Sequence, residues 1–195
     1  MHLIGLTGGL ATGKSHVGRM LEKLGCKLIQ ADQLGHQTLA PDGEAYRAVI
    51  ETFGTGIVDE NGLIDRKALA SLVFNNPEKL AELNAIVHPA VHRLQDKIVA
   101  KTVESIVIVE AAIHIETGGY KRFEKMILAV CSLEEQIRRA MKRDHSSREE
   151  VLARIERQMP IEEKRKFADY VIDTTGDEAQ TWKQTVEVYN QIKQL

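Results

Sequence analysis

The chain has 195 residues, of which 43% are hydrophobic and 28% charged, and its formal net charge is -2. These values are typical of a globular chain that is long enough to bury one main hydrophobic core. Acidic and basic side chains nearly balance, and no apolar run approaches the roughly 20 residues of a membrane span, so the composition argues against nucleic acid or membrane as a partner.

A strand, a glycine-rich loop and a helix are predicted at the start of the chain. The apolar run Leu3 to Leu6 is stopped by glycines, as at the end of a strand. Apolar side chains then recur at helical spacing, at Val17, Met20, Leu21 and Leu24. Gly25 ends this helix, and the run CKLIQAD that follows predicts a second strand ending at Asp32.

Helices dominate the next part of the chain, where RKALASLVF and PEKLAELNAIV are amphipathic. We expect a helical insert over residues 41–99. Within it, Pro89 disfavours the α conformation at His88, so we expect His88 at a helix entrance with Pro89 in the first turn. The i,i+4 spacing of His88 and His92 is that of a helical zinc pair, and the same proline argues against such a pair.

Apolar, β-branched runs alternate with helical patterns in the second half of the chain. Three further strands are predicted by SIVIVEAAIHIE (105–116), KMILAVC (125–131) and YVIDTTG (170–176). The charge-dense stretch 132–158 predicts helices rich in arginine. Strands separated by helices are typical of a parallel sheet, because parallel neighbours need long crossover connections.

These patterns predict a single α/β domain over 1–195, with a doubly wound parallel sheet, a helical insert and an arginine-rich helical lid. The core covers about 1–40 and 100–195, and the lid about 134–158. Cys26 and Cys131 lie far apart without metal-ligand spacing, which favours small core residues in a reducing cytoplasm. The first residues carry no charged leader with a cleavage site, so we expect an unprocessed cytoplasmic protein. The oligomeric state stays open.

The loop between the first strand and the helix carries the Walker A spacing. Gly8, four intervening residues, Gly13, Lys14 and Ser15 form G-x-x-x-x-G-K-S. Glycines permit the positive-φ turns that aim backbone N–H groups at phosphate oxygens, and the helix N-terminus adds partial positive charge. Lys14 is expected to reach the β- and γ-phosphates, and the Ser15 hydroxyl to bind Mg²⁺. The alternative is a tight turn with a solvated lysine.

Further candidates lie where other strands end, since ligands of open α/β sheets bind there. Asp32 can accept a proton from an acceptor hydroxyl, or cap the helix that follows. Glu110 follows the apolar run Ile106 to Val109 and either acts on Mg²⁺ through water or has a structural role. Arg139 and Arg143 share one helix face, where they either close over a phosphoryl group or pair with neighbouring glutamates.

The serial order of these motifs resembles the dephospho-CoA kinases over nearly the whole chain. The matching segments are LTGGLATGKS, ADQLGH, GLIDRKALASLVF, LNAIVHPAV, RRAMKRD, REEV and ADYVID. The resemblance implies phosphorylation of the 3′-hydroxyl of dephospho-CoA by ATP with Mg²⁺, which gives coenzyme A and ADP in the last step of CoA biosynthesis. It also implies a nucleotide-binding core, a helical CoA-binding domain and a lid.

The resemblance assigns roles to individual residues. Asp32 corresponds to the general base for the 3′-hydroxyl, and Arg66 and His88 correspond to positions near the acceptor. Arg139 and Arg143 correspond to lid arginines, of which we expect Arg139 to act in catalysis beside Lys14. The ATP loop then comprises Gly8, Gly9, Ala11, Thr12, Gly13, Lys14, Ser15 and His16.

Six positions depart from the family pattern. They are Gln30 for the first aspartate of D-A-D, His16 for a threonine, Glu110 for an aspartate, Ala112 for a proline, His114 for a leucine and Thr174 for an asparagine. None of these departures replaces Lys14, Ser15 or Asp32, so we expect an active enzyme.

Two other functions are compatible with a nucleotide loop. A kinase of another small acceptor, such as a nucleoside monophosphate, would use the same loop, base and lid. A nucleotide-dependent switch would use a D-x-x-G element, which DTTG at Asp173 to Gly176 imitates. That element comes very late in the chain and no N-K-x-D follows it, so the switch is the weaker alternative.

Overall fold

The computed structural model describes residues 1–74 and 76–195, which form two compact units. The first unit comprises Met1–Gln30 and Thr102–Leu195, and the second comprises Ala31–Lys101. The second unit contains the described part of the helical insert predicted over 41–99, and it begins earlier, directly after the second strand.

The first unit is built on a five-stranded parallel sheet with the strand order β2-β3-β1-β4-β5. Its strands are β1 (His2–Gly8), β2 (Lys27–Gln30), β3 (Ile106–Glu110), β4 (Lys125–Val130) and β5 (Tyr170–Asp173). Every residue of β3 is buried, as expected for a strand covered on both faces of a parallel sheet. The predicted α/β class with a parallel sheet is confirmed.

The helices follow the predicted alternation with the strands. In chain order they are α1 (Lys14–Lys23), α2 (Ala31–Thr38), α3 (Tyr46–Phe53), α4 (Arg66–Val73), α5 (Pro77–Val99), α6 (Leu133–Asp144), α7 (Arg148–Glu156), α8 (Ile161–Arg165) and α9 (Glu178–Ile192). Short 3-10 helices occupy Thr55–Ile57 and Gly119–Arg122.

The main core of the first unit joins the sheet to α1 and α9. Leu6 and Ile127 of the strands pack with Leu21 of α1 and Ile192 of α9, and all four side chains are fully buried. Burying one such side chain contributes about 1.5–3 kcal/mol. This core fixes the end of β1 against the start of α1, where the glycine-rich loop lies.

The predicted arginine-rich helical stretch consists of two helices, α6 and α7. His145 ends α6 in the left-handed conformation, with φ 54°. Ser147 then begins α7 through a capping box with Glu150. A small apolar cluster, which includes Ile137 of α6 and Val151 of α7, packs these helices against Leu10 of the loop.

The second unit is a helical subdomain formed by α2 to α5 with its own apolar cluster. Val49, Leu69 and Ala90 are among the buried side chains that join α3, α4 and α5. Side chains cap two of its helices: Asp65 accepts hydrogen bonds from the first turn of α4, and Asn76 does so for α5.

Four strands are shorter than predicted, β4 by a single residue, since it ends at Val130. β2 ends at Gln30, and Asp32 lies in the first turn of α2 instead of the strand. β3 ends at Glu110, whereas the predicted run continued to residue 116, and β5 ends at Asp173. After β3 the chain turns while Ala111, His114 and Ile115 stay buried, although Ile113 is exposed. Hydropathy alone therefore could not separate the strand from the turn.

The prediction that His88 stands at a helix entrance is wrong. His88 and Pro89 lie inside α5, which continues for 23 residues. Pro89 is exposed, and so is Ala85, whose carbonyl lacks the usual donor from position 89. Water can satisfy a carbonyl on that side, so α5 tolerates the proline.

Within 1–74 and 76–195, no helix, α5 included, is both long and apolar enough to cross a membrane.

Candidate functional site

The loop from Gly8 to Ser15 has a backbone that only its glycines allow. Gly13 has φ 83°, a left-handed value that side chains rarely adopt. At Gly8, a Cβ atom would lie 2.4 Å from Thr12 Oγ1 and 2.6 Å from the Ala129 carbonyl. Ala11 also has a positive φ, 55°, and strained backbone of this kind clusters at ligand-binding sites. The loop is therefore tightly folded against β4.

The N-terminus of α1 directly follows this loop. Gly13 is the N-cap and has no side chain to occupy the first N–H groups of the helix. These N–H groups and the positive end of the helix dipole favour negative charge at this end of α1. Lys14 is the first residue of α1 and is half-buried, so it brings a positive charge to the same end.

Ser15 is joined to the end of β3 through Glu110. Ser15 Oγ donates a hydrogen bond to Glu110 Oε1 at 2.6 Å, and Gln30 Nε2 donates to Glu110 Oε2 at 3.0 Å. Glu110 is only 6% exposed, so both carboxylate oxygens have a defined direction. The parallel register of β1, β2 and β3 brings these groups together, because their carboxyl ends meet at one edge.

This edge has the donor set of a magnesium site. Mg²⁺ prefers oxygen ligands and keeps several of its waters, and a serine hydroxyl beside a buried carboxylate meets that preference. The residues that fit the ion are Ser15 as a direct ligand and Glu110 as an acceptor for its water. Among the described residues, no group of three or more His, Cys, Asp or Glu side chains could hold a metal. The fit therefore depends on phosphate oxygens of a nucleotide as further ligands.

Arg139 lies against the loop through Thr174. Its guanidinium donates to Thr174 Oγ1 at 2.8 Å and to Glu135 Oε1 at 2.6 Å, and Thr174 Oγ1 donates to the Thr12 carbonyl at 2.9 Å. A pocket of about 300 Å³ opens beside it, lined by Gly13, His16, Arg139, Thr174, Gly176, Glu178 and Thr181. Arg139, His16 and Thr174 therefore surround one concavity next to the loop.

Arg143 is held differently, although it follows Arg139 by one helical turn. Its guanidinium donates twice to Asp144, at 2.7 and 2.9 Å, and its side chain is 56% exposed. Asp144 also accepts a hydrogen bond from Arg154 at 2.6 Å. The hydrogen bonds from Arg143, and then from Arg154, hold the pKa of Asp144 well below its usual range. Arg143 thus pairs with an acid of its own helix.

The remaining predicted residues belong to the second unit. Asp32 is exposed in the first turn of α2, and Arg66 is exposed at the start of α4. Arg66 lines a pocket of about 240 Å³ together with His36 and the apolar Leu63. His88 does not line this pocket, and burial lowers its pKa. Arg66 and His88 therefore lie in different surroundings on α4 and α5.

Two residues that the sequence analysis did not select bind the backbone near this site, one at the loop and one after β3. Gln158, just beyond α7, accepts a hydrogen bond from the Leu10 N–H at 2.8 Å. Lys164 of α8 is fully buried and donates to the Ala112 carbonyl at 2.7 Å. Both occur in charge-rich sequence that is typical of exposed helices, so periodicity and composition do not identify them.

Comparison with known proteins gives one consistent family. The chain matches the family model described as dephospho-CoA kinase over residues 2–180. A curated dephospho-CoA kinase from Aquifex aeolicus is 42% identical over 193 residues, which are 98% of this chain and 98% of the relative.

Two solved structures agree with this match. A protein from Thermus thermophilus is 35% identical with a TM-score of 0.87, and the alignment covers 97% of this chain and 96% of that one. A dephospho-CoA kinase from Campylobacter jejuni is 31% identical with a TM-score of 0.71, over 98% of this chain and 97% of that one.

Proposed function

The chain belongs to the dephospho-CoA kinase family, and on that premise we propose that it transfers the γ-phosphoryl group of ATP to the 3′-hydroxyl of dephospho-CoA. The products are coenzyme A and ADP, so the protein would carry out the last step of CoA biosynthesis. The observation that carries the proposal is the hydrogen bond between Ser15 of the loop and the buried Glu110. It joins a phosphate-binding loop to a carboxylate at the end of the central sheet.

The loop and α1 hold the phosphate donor in this proposal. Backbone N–H groups around Gly13 bind the phosphate oxygens, and the Lys14 ammonium draws negative charge from the γ-phosphoryl group. The pocket beside His16 and Arg139 receives the nucleoside. Two free cysteines, Cys26 and Cys131, fit a reducing compartment, and we infer that the enzyme works in the cytoplasm.

Ser15 and Glu110 are the residues proposed to hold Mg²⁺, Ser15 directly and Glu110 through water. When bound there, the ion would neutralise negative charge that builds up on the phosphate groups during transfer. Gln30 keeps Glu110 oriented by donating to its second oxygen. An amide thus fixes the carboxylate at a position where the family pattern has an acid.

Asp32 is proposed as the base. Its carboxylate accepts the proton of the 3′-hydroxyl while the hydroxyl oxygen forms its bond to the γ-phosphorus and the bond from that phosphorus to the β–γ bridging oxygen breaks. Arg66 is proposed to bind the acidic pyrophosphate of dephospho-CoA, and His88 to lie near the same substrate. Arg139 and Arg143 supply positive charge from α6.

Replacing the base tests this assignment. Asp32→Asn keeps the size of the side chain but cannot take up the proton, so we expect kcat to fall by about a hundredfold or more. Binding of ADP, measured by calorimetry, is expected to stay within about twofold, since the loop is intact. A variant with unchanged kcat would remove Asp32 from the mechanism.

A panel of acceptors tests the substrate. With Mg²⁺ and ATP, ADP release is measured for dephospho-CoA, AMP, CMP and no acceptor. We expect release only with dephospho-CoA, and competition by an excess of AMP is expected to have little effect. Release that follows AMP or CMP instead would make the chain a nucleoside monophosphate kinase, and nucleotide binding without any acceptor-dependent release would favour a switch.

A further inference from the structure

The first unit encloses one lysine completely. Lys164 of α8 has no exposed surface, although lysine is one of the residues that are least often buried. Its Nζ donates to the Ala112 carbonyl at 2.7 Å and lies 2.7 Å from Glu116 Oε1. The phosphoryl-transfer mechanism described above makes no use of this ammonium group.

The Ala112 carbonyl also accepts a hydrogen bond from a second side chain. Thr7 Oγ1 of β1 donates to the same oxygen at 3.2 Å, and Thr7 is fully buried just before the loop begins. The Ala111 N–H donates to the Leu6 carbonyl at 3.0 Å. The backbone that leaves Glu110 is thus bound to the end of β1 on one side and to Lys164 on the other.

The stretch that carries Lys164 contacts the loop at a second point. Gln158 accepts a hydrogen bond from the Leu10 N–H at 2.8 Å, six positions before Lys164 in the chain. The chain returning from the arginine-bearing α7 is therefore bound both to the loop and to the residues that follow Glu110.

Stability alone does not explain a buried ammonium in this place, whose partner Glu116 stays partly exposed. Removing an ammonium from water is costly, and apolar side chains of similar volume often replace buried charges without loss of stability. What the ammonium adds over an apolar side chain is a directed bond, and here that bond fixes one carbonyl two residues after Glu110.

We propose that Lys164 is a positioning residue for phosphoryl transfer, which holds Glu110 in register with Ser15 through the Ala112 carbonyl. The ammonium fixes the direction of the Ala112 carbonyl. That carbonyl fixes the backbone conformation at the start of the turn after β3, and the turn then fixes the orientation of the Glu110 carboxylate. This inference rests on the proposed function, because Glu110 and Ser15 matter through the Mg²⁺-nucleotide complex.

The test is the factor by which Mg²⁺ tightens ADP binding, measured by calorimetry with Mg²⁺ and with EDTA. For Lys164→Met we expect that factor to fall by about threefold or more, while binding in EDTA stays within about twofold of wild type. Lys164→Arg keeps a donor and is expected to retain more of the factor. The matched control is Lys125→Met, which breaks an ion pair with Asp169 at the amino end of β4 and is expected to keep the full factor.

The proposal would be overturned if Mg²⁺ tightened ADP binding as much in Lys164→Met as in wild type. It would also be overturned if Lys164→Met and Lys164→Arg lost the same share of this Mg²⁺ effect. If Lys164→Met does not fold, Glu116→Gln replaces it, since this change removes the charge that orients the ammonium and so weakens its bond to the Ala112 carbonyl. A smaller loss of the Mg²⁺ factor is then expected, and no loss contradicts the role. Wild-type protein that releases no ADP with dephospho-CoA would refute the proposed function, whereas the ADP measurement would still decide the role of Lys164.

Discussion

The charged side chains at the end of the central sheet differ in burial from those of the arginine-bearing helices. At the end of β3, Glu110 is buried and its two oxygens accept hydrogen bonds from Ser15 and Gln30. On α6, Arg139 and Arg143 reach acids of their own helix, and the Arg143 side chain is 56% exposed. The sheet end is fixed before any ligand arrives, whereas the arginines already have partners that a nucleotide would have to replace.

This difference follows from burial. A buried carboxylate has few other partners, so its hydrogen bonds define one geometry. A largely exposed ion pair such as that of Arg143 contributes little, typically less than about 1 kcal/mol, so exchanging it for a phosphate costs little. Arg139 is only 27% exposed and also binds Thr174, so it is held more firmly than Arg143. The comparison teaches that positioning belongs to the sheet end and that Arg143 supplies charge that can be redirected.

The largest loss of activity is expected from Lys14→Ala, at the start of α1. The variant removes the positive charge at the start of α1, and kcat/KM for ATP should fall by about a thousandfold. Lys23→Ala, at the exposed end of the same helix, is the matched control and should leave kcat/KM within about twofold. Steady-state kinetics of ADP release measures both variants, and comparable losses would refute the special role of Lys14.

A smaller loss is expected from Glu110→Gln, which keeps the shape of the side chain and removes its charge. Changes of this kind next to a metal ligand cost about 10–100-fold in metal affinity or activity. We therefore expect the Mg²⁺ concentration for half-maximal activity to rise by about tenfold or more. An unchanged Mg²⁺ dependence would mean that Glu110 has a structural role only.

The arginines allow a matched comparison, because Arg138 and Arg139 both bind Glu135. Arg139 also lines the pocket beside Gly13, so Arg139→Ala should weaken ADP binding by about tenfold, and Arg138→Ala by less than about twofold. Equal effects would show that the partner acid, and not the pocket, explains the role of Arg139. Calorimetric titration with ADP decides between them.

The smallest expected effect is on the melting temperature of a Glu135 variant, and it depends on pH. The hydrogen bond from Arg138, together with Arg139, lowers the pKa of Glu135 from its ordinary 4.5 to about 2. Because the folded-state pKa is depressed, this stabilisation is present above about pH 4.5 and is lost as the pH falls toward 2. Glu135→Gln lacks this contribution at every pH, so its melting temperature should lie below that of wild type by about 2 °C at pH 7 and by less at pH 3. A gap that does not shrink in acid would contradict the pairing.

The loop could be predicted from sequence because its signal is local. Glycines at positions 8 and 13, followed by Lys14 and Ser15, specify a turn and a helix start within a few residues. The strand order was not needed to expect Glu110 and the loop at one edge, since parallel strands end on the same side. That Ser15 and Gln30 each bind one oxygen of Glu110 depends on register, which no local pattern gives.

Other predictions failed because they depend on which residues are buried or exposed in the folded protein, and the sequence pattern does not give that. The position of His88 was predicted wrongly because an exposed Pro89 is tolerated inside α5. The strand after residue 105 was predicted too long because a buried turn is as apolar as a strand. Lys164 was missed because a lysine among charged neighbours is typical of a surface, whereas its partners Ala112 and Glu116 are distant in the sequence.

Product analysis tests the central claim most directly. The purified protein is incubated with Mg²⁺, ATP and dephospho-CoA, and the acceptor is examined by mass spectrometry and ³¹P NMR. The account predicts a product that is heavier by one phosphoryl group, carries a 3′-phosphate monoester and forms in equal amount to ADP. Recovery of unmodified dephospho-CoA, or a phosphate at another position, would contradict it.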